Sequence, residues 1–245
     1  MSSERVFGLH AVGSVLQRDP ARVKVLFVQE GREDDRLNRL LAEAEVAGVT
    51  VQRSARKRLD AMVDGVHQGV VAECKAISAG DDSDLQNILA SLPENPLFLV
   101  LDGVTDPHNL GACLRTAEAA GVLAVIAPKD KSAPLNATVS KVACGAAEIV
   151  PYIQVTNLSR ALQALQQAGV WITGTAGEAE QTLYDVELKG AAALVMGAEG
   201  KGMRRLTREH CDQLIKIPML GSISSLNVSV ATGVCLYEMV RQRGL

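Results

Sequence analysis

Apolar positions in the C-terminal two thirds of the chain fall into short unbroken runs. Residues 97–101, 124–127, 171–173, 192–196 and 214–217 show little alternation of apolar with polar side chains. A strand that is apolar on both faces belongs in a sheet covered on both sides, as parallel sheets are. Between most of these runs the apolar residues recur at helical spacing, over 110–120, 136–144, 158–168 and finally 228–241. Strands alternating with helices predict an α/β fold built on a parallel sheet.

The N-terminal third has a different rhythm. Helix-spaced apolar residues over 8–16 are stopped by Asp19-Pro20, and a β-rich run follows over 23–28. A charged helix is expected over 34–47, ended by Gly48, with short strands over 49–52 and 70–74. Residues 1–76 are therefore expected to form a small α/β domain. The next stretch, ISAGDDSDLQNILASLPENP, is rich in small, acidic and proline residues around a short helical pattern. Residues 77–95 are thus the expected linker, and 96–245 the second domain.

Composition changes this picture little. With 47% hydrophobic and 22% charged residues, the 245-residue chain has an ordinary globular balance. No apolar run approaches the roughly 20 residues that cross a bilayer, and MSSERVFGLH lacks the basic-then-apolar order of a secretory signal. No membrane partner and a cytoplasmic location are expected. Cys74, Cys113, Cys144, Cys211 and Cys235 are scattered, without a CxxC pair or a Cys/His cluster. That spacing predicts buried free thiols in a reducing compartment and no metal site.

The net charge of −3 weighs against a nucleic-acid partner. A local patch can outweigh it, and Arg53, Arg56, Lys57 and Arg58 form one. Substrate-RNA binding and a merely solvated basic turn both account for this cluster.

Three segments carry candidate chemistry. The first runs LDGVTDPHNLGACLR, from the end of a buried strand into a helix. Asn109 is placed to cap that helix. Gly111 admits a close neighbour. Arg115 lies among small and apolar residues, and a guanidinium there needs a partner, since an unpaired buried charge is costly. In open α/β sheets ligands collect at the carboxyl ends of strands, where this loop falls. A cap plus a structural ion pair is the alternative, and His108 beside the cap is read as structural.

The second segment, LVMGAEGKGMRR, also follows a buried strand. Gly197, Gly200 and Gly202 allow tight turns and close backbone contact with a flat ligand, although the pattern is neither GxGxxG nor a Walker loop. Glu199 is suited to ribose hydroxyls or to pairing with Arg115; a solvated turn explains it as well. In the third segment, IPMLGSISSLNVSVATG, Ser225 and Asn227 precede the last helix, as caps or as ligand contacts. All three share one layout of strand, small-polar loop and helix. Neither a Ser/His/Asp order nor a paired-carboxylate pattern competes with it.

At these residues the chain resembles the SPOUT methyltransferases, specifically the TrmH-type RNA 2′-O-methyltransferases. Asn109 and Arg115 match that family's Asn-Leu-Gly…Arg element, and Gly197, Glu199 and Gly200 its Gly-x-Glu-Gly element. Ser225 and Asn227 match Ile-Pro-Met…Ser-Leu-Asn-Val-Ser. The resemblance implies a ribosomal-protein-like RNA-binding domain over 1–76 and a SPOUT domain with a C-terminal trefoil knot. Nothing in periodicity predicts a knot, since true knots are very rare.

The resemblance also implies S-adenosylmethionine as cofactor, held near Gly197, Gly200, Ile217, Met219, Ser225, Leu226 and Asn227. Arg115, Asn109, Glu199, Ser225 and Asn227 are the implied catalytic set. It further implies a homodimer with sites at the subunit interface, so that Arg115 acts on cofactor bound largely by the other subunit. The strings VTDPHNLGACLRTAEAAGV and IPMLGSISSLNVSVATG are similar to ribosomal-RNA members. They imply a guanosine ribose of 23S ribosomal RNA as the target.

The implied reaction is direct displacement, in which the ribose 2′-oxygen attacks the methyl carbon of a sulfonium. An activated donor needs no metal; the enzyme aligns the groups and manages a weakly acidic proton. The family assigns the base role to the arginine, but a guanidinium has a pKa above about 12. Arg115 is therefore expected to orient the hydroxyl and stabilise the forming alkoxide, with a substrate phosphate assisting. Asn109 and Glu199 are expected to position Arg115 and the ribose, with Ser225 and Asn227 shaping the loop. The alternatives are a tRNA-directed relative, a catalytically silent RNA-binding assembly factor, and an unrelated nucleotide-binding α/β protein.

Overall fold

A computed structural model describes residues 3–75 and 78–244. The chain divides into two compact units, Met1–Ser78 and Ala79–Leu245. The first runs β1 (Ser3–Phe7), α1 (Leu9–Arg18), β2 (Val23–Gln29), α2 (Asp35–Val46), β3 (Val51–Ser54), α3 (Arg56–Met62) and β4 (Val70–Lys75). Its sheet has the order β1-β4-β2-β3. β4 is antiparallel to both neighbours, and β2 is parallel to β3.

One face of this sheet presents Leu26, Val28, Val70 and Ala72 to Val12, Val15 and Leu16 of α1 and to Leu37 and Leu40 of α2. The charged helix expected over 34–47 is α2; Asp34 caps it by accepting from the N–H groups of Arg36 and Leu37. Phe27 and Val71 point to the other face, where Leu59 of α3 covers them. β1 and α3 were not expected. Of the five β1 residues only Val6 is buried, so the edge strand carries almost no hydrophobic signal.

The second unit runs α4 (Asp82–Leu89), β5 (Leu97–Asp102), α5 (Pro107–Ala119), β6 (Ala124–Pro128), α6 (Ala137–Ala143), β7 (Tyr152–Val155) and α7 (Leu158–Gln167). It continues with β8 (Trp171–Thr175), β9 (Gln181–Thr182), β10 (Ala192–Gly197), α8 (Arg205–Glu209), β11 (Gln213–Lys216) and α9 (Val228–Gln242). Its sheet has the order β7-β6-β5-β10-β8-β11-β9, and every ladder in it is parallel. All six residues of β5 and all five of β6 are buried, as their unbroken apolar runs required. Phe98, Val100, Ile126, Ile153, Ile172 and Val195 pack with Leu162 and Leu165 of α7. Each such side chain contributes roughly 1.5–3 kcal/mol on leaving water.

The expected linker needs revising. Residues 76 and 77 lie outside the described residues, but 79–95 pack as part of the second unit. Asp81 caps α4 in a reciprocal capping box with Asp84, and Leu85 is buried in the same core as Phe98. The acidic, small-residue composition read as a connector is thus a helix start.

Strand order decides where the site falls. β8 is flanked by β10 and β11, both later in the chain. The loops leaving β5, β10, β8 and β11 therefore emerge side by side at one carboxyl edge of the sheet. Each strand carries one of the loops in which the sequence places candidate residues, except β8, whose loop was not singled out.

Candidate active site

The loop after β5 enters α5 through Asp106, whose side chain accepts from the His108 N–H at 2.9 Å. Asp106 is the N-cap and Pro107 opens the helix, the position a proline favours. The expectation that Asn109 caps this helix is therefore corrected. Asn109 sits inside the first turn, 8% exposed, which frees its side chain for a different task. Gly111 faces α6: a Cβ there would lie 2.7 Å from Val142 Cβ and 2.9 Å from the Val139 carbonyl.

The loop after β10 folds back on itself. Ala198 and Gly202 exchange backbone hydrogen bonds of 3.1 and 2.9 Å, making a tight turn with Gly200 at φ +74°. Gly197 lies beneath the returning strand of this turn, so that a Cβ would come within 2.3 Å of Gly202 C and Met203 N. Only glycine permits that approach. The turn is anchored by Asp102 at the end of β5. This buried carboxylate accepts from the Arg204 backbone N–H at 2.8 Å and from Arg204 Nε at 2.6 Å. Sequence reading missed the Asp102–Arg204 clamp; the adjacent acid in LDGV and the arginine after GKGM were its only traces.

Glu199 stands in this turn and gathers the motifs. Its Oε1 accepts from Asn227 Nδ2 at 2.6 Å, from the Val228 N–H at 3.3 Å and from Asn109 Nδ2 at 3.4 Å. Asn227 Nδ2 also donates to Asn109 Oδ1 at 3.0 Å. Asn227 caps α9 as well, its Oδ1 accepting from the Ser229 N–H at 2.9 Å. Capping and membership of the cluster are thus not alternatives for Asn227; it does both. Asn109, Glu199 and Asn227, one from each motif, meet in one polar cluster at the sheet edge.

Arg115 does not join them. It is an exposed residue on α5, and its Nη1 contacts Cys144 Sγ at 3.5 Å. The expectation of a buried guanidinium needing a partner, and of Glu199 pairing with or positioning it within the chain, is corrected. The helical step from Asn109 to Arg115 turns Arg115 well away from the face that carries Asn109. Cys144 is exposed, which corrects the expectation that the thiols are all buried; Cys113 and Cys235 are buried, and burial pushes them up to about 11 and about 12.

A cavity of about 580 Å³ opens beside the cluster. Gly197, Glu199, Gly200, Ile217, Met219, Ser225, Leu226 and Asn227 all line it, so the structure brings together every residue expected to hold a cofactor. Thr175, Ala176, Gly177 and Glu178, from the end of β8 and the loop after it, line it too and were not expected. Their only sequence signal is the same strand-then-small-residue layout. The size lies within the roughly 300–1,000 Å³ of small-molecule pockets, and many of its lining residues are small, Ala176, Gly177, Gly197, Ala198, Gly200 and Gly202 among them. That suits a flat nucleoside held by main-chain groups. No group of side chains among the described residues is arranged to hold a metal ion.

In the first unit, Arg53 lies in β3, while Arg56, Lys57 and Arg58 form the start of α3. All four are exposed. The Arg58 guanidinium stands 5.6 Å above the Phe27 ring, a cation–π geometry that fixes its stem.

Comparison with known proteins accords with this geometry. Residues 96–237 match the SpoU rRNA Methylase family, and residues 5–79 match the RNA 2′-O ribose methyltransferase substrate binding family. The 23S rRNA (guanosine-2′-O-)-methyltransferase RlmB of Vibrio cholerae is 63% identical over 244 residues, covering 99% of this chain and 98% of its own length. The protein of the same name from Yersinia pestis is 62% identical, covering 99% of each chain. Among solved structures, the AdoMet-bound rRNA methyltransferase of Sinorhizobium meliloti superposes with a TM-score of 0.81 at 25% identity, over 98% of this chain and 87% of that one.

Proposed function

The chain belongs to the SpoU rRNA methylase family, and from that membership we propose that it transfers a methyl group from S-adenosylmethionine to the ribose 2′-oxygen of a guanosine in 23S ribosomal RNA. The observation that carries this reading is the meeting of Asn109, Glu199 and Asn227 beside one nucleoside-sized cavity. Near-full-length identity above 60% to 23S rRNA guanosine-2′-O-methyltransferases selects the RNA. An intact polar cluster weighs against a catalytically silent assembly factor.

S-adenosylmethionine supplies an electrophilic methyl group when bound. Gly197, Gly200, Ile217, Met219 and Leu226 hold its flat parts through the cavity wall, with Ser225 on the rim. Glu199 and Asn227 fix the loops after β10 and β11 against α5. They thereby preorganise the site before the ribose arrives. Arg115 orients the 2′-hydroxyl and stabilises the developing alkoxide through its N–H groups.

Because Arg115 is exposed and turned from Glu199, it serves the cavity of a second copy, in a homodimer. The exposed Val230 and Tyr237, two turns apart on α9, and the exposed Leu220 and Ile223 support such an association. The first unit delivers RNA through Arg53, Arg56, Lys57 and Arg58. The knot implied by the family resemblance is part of this picture; the placement of β8 between two later strands supports it. The compartment proposed is the cytoplasm. No helix among the described residues is long and apolar enough to cross a membrane.

The test is methyl transfer from labelled S-adenosylmethionine to unmodified 23S rRNA and to tRNA, with the product nucleotide mapped. Label on one 2′-O-methylguanosine of 23S rRNA is expected. Label confined to tRNA would select the tRNA-directed alternative, and no label on either would favour the silent binder.

A further inference from the structure

The cavity carries a charged pair that the Glu199 cluster does not use. Glu178 lies three residues beyond β8 and Arg208 lies in α8; they form an ion pair, and both line the cavity. The Glu178 and Arg208 side chains are 61% and 42% exposed, and a surface pair of this kind adds little to stability. Its place on the wall of a ligand cavity is what calls for a reason. The Glu178 carboxyl is held below its usual range by its own backbone N–H and by Arg208. It is thus an ionised acceptor at the cavity wall.

The strand order says which loops it stands between. Along the sheet edge, Asn109 follows β5, Glu199 follows β10, Glu178 follows β8 and Ile217 follows β11. Neighbouring strands stand about 4.8 Å apart. Glu178 therefore stands in the loop next to the Glu199 turn, between it and the loop that carries Ile217. A bound S-adenosylmethionine would extend two arms from its sulfur along this wall, and of the two only the adenosine carries adjacent hydroxyls, on its ribose. A carboxylate has two oxygens that accept from two adjacent hydroxyls, the means by which acidic residues hold ribose in other nucleotide sites.

We propose that Glu178, oriented by Arg208, accepts the ribose hydroxyls of the cofactor and makes the cavity selective for a ribonucleoside. This rests on S-adenosylmethionine occupying the cavity, as in the function proposed above. The Arg208 guanidinium, with several N–H donors, holds the carboxylate at the cavity wall. Neither residue touches the reacting atoms; Glu178 is a binding residue and Arg208 a positioning one.

Calorimetric titration of the full chain tests this without turnover. The probes are S-adenosylhomocysteine, 5′-methylthioadenosine, which keeps the ribose diol and lacks the amino-acid tail, and the 2′-deoxy analogue of 5′-methylthioadenosine. The unaltered chain is expected to prefer 5′-methylthioadenosine to its 2′-deoxy analogue by at least about tenfold, the scale of a hydrogen bond to a charged group. Glu178→Ala and Glu178→Gln should bring that ratio towards one, and Arg208→Met should reduce it in part. A ratio unchanged in Glu178→Ala overturns the proposal. So does a loss of S-adenosylhomocysteine affinity with 5′-methylthioadenosine unaffected, which would place Glu178 at the amino-acid end. If the unaltered chain binds none of the three probes, the cofactor assignment fails first, and Glu178 with it.

Discussion

The Asn227 amide nitrogen donates to a Glu199 carboxylate oxygen at 2.6 Å, tying the turn after β10 to the start of α9. The same oxygen accepts from Asn109 and from the Val228 N–H. Glu199→Ala leaves these donors without their acceptor, at a cost of about 1–3 kcal/mol. Methyl transfer should fall by at least about a hundredfold, because small displacements of aligned groups are costly. Glu199→Gln, which keeps one acceptor oxygen, should recover melting temperature more than rate. A lowered melting temperature with an unchanged rate would make the cluster purely structural.

Arg115 sits outside that network, and its substitution should separate binding from chemistry. Arg115→Ala is expected to leave S-adenosylhomocysteine affinity within about twofold and to lower kcat by roughly 10²–10³-fold, the scale of one preorganised donor to an oxyanion. Arg115→Lys keeps the charge but not the planar fork and should recover only part of the rate. Lost cofactor affinity with kcat intact would refute the role.

Gly197 has no room for a side chain. Gly197→Ala places a methyl group 2.3 Å from the backbone of Gly202 and Met203, which must move the turn carrying Glu199. S-adenosylhomocysteine affinity, read by calorimetry, should fall at least tenfold, on the order of the 1–3 kcal/mol that overpacking costs. Gly221→Ala is the control: it has open space and should bind normally.

Arg53, Arg56, Lys57 and Arg58 would release counterions on neutralising RNA phosphates. Reversing all four charges should weaken RNA binding and flatten its salt dependence, by about 0.7 in log–log slope for each single-strand phosphate no longer neutralised. Arg58→Glu alone should also lower stability slightly, since its guanidinium stacks over Phe27. Filter binding across a salt series that shows no change in slope would remove the patch from the RNA surface.

Glu238 on α9 is held down to about 2, first by its hydrogen bond from Arg241, then by that from Gln242. A carboxyl depressed on folding stabilises the folded chain above its ordinary pKa and loses that contribution as pH falls through the folded value. Compared with Glu238→Gln, the unaltered chain should be more stable above about pH 4.5 and should lose the difference between there and about pH 2. Denaturant melts well above and near the bottom of that window measure it; a difference of equal size at both would exclude the ionised carboxylate as the cause.

How much of this was legible in the sequence depends on the range of the force involved. The runs at 97–101 and 192–196 identified β5 and β10, because a strand buried on both faces must be apolar throughout. The helices over 158–168 and 34–47 were legible from apolar spacing and charge, and the structure adds that Asn157 and Asp34 cap them. β1 and β9 escaped because each buries almost none of its residues, and β7 escaped although three of its four residues are buried. The acidic stretch before residue 96 was misread because a cap and a linker draw on the same residue types.

By itself the sequence determined the alternating α/β plan of the second unit and three small-polar loops at strand ends, since both follow from burial and turn chemistry within a few residues. Their family motifs then supplied the reaction. Only the tertiary structure decided that β8 lies between β10 and β11, and so that Glu178 shares a cavity with Glu199. It alone showed that Asn109, Glu199 and Asn227 bond to one another while Arg115 faces outward. The reason is physical: strand order, and hydrogen bonds that join residues from separate strand-end loops, come from global packing, which no local pattern of side chains encodes.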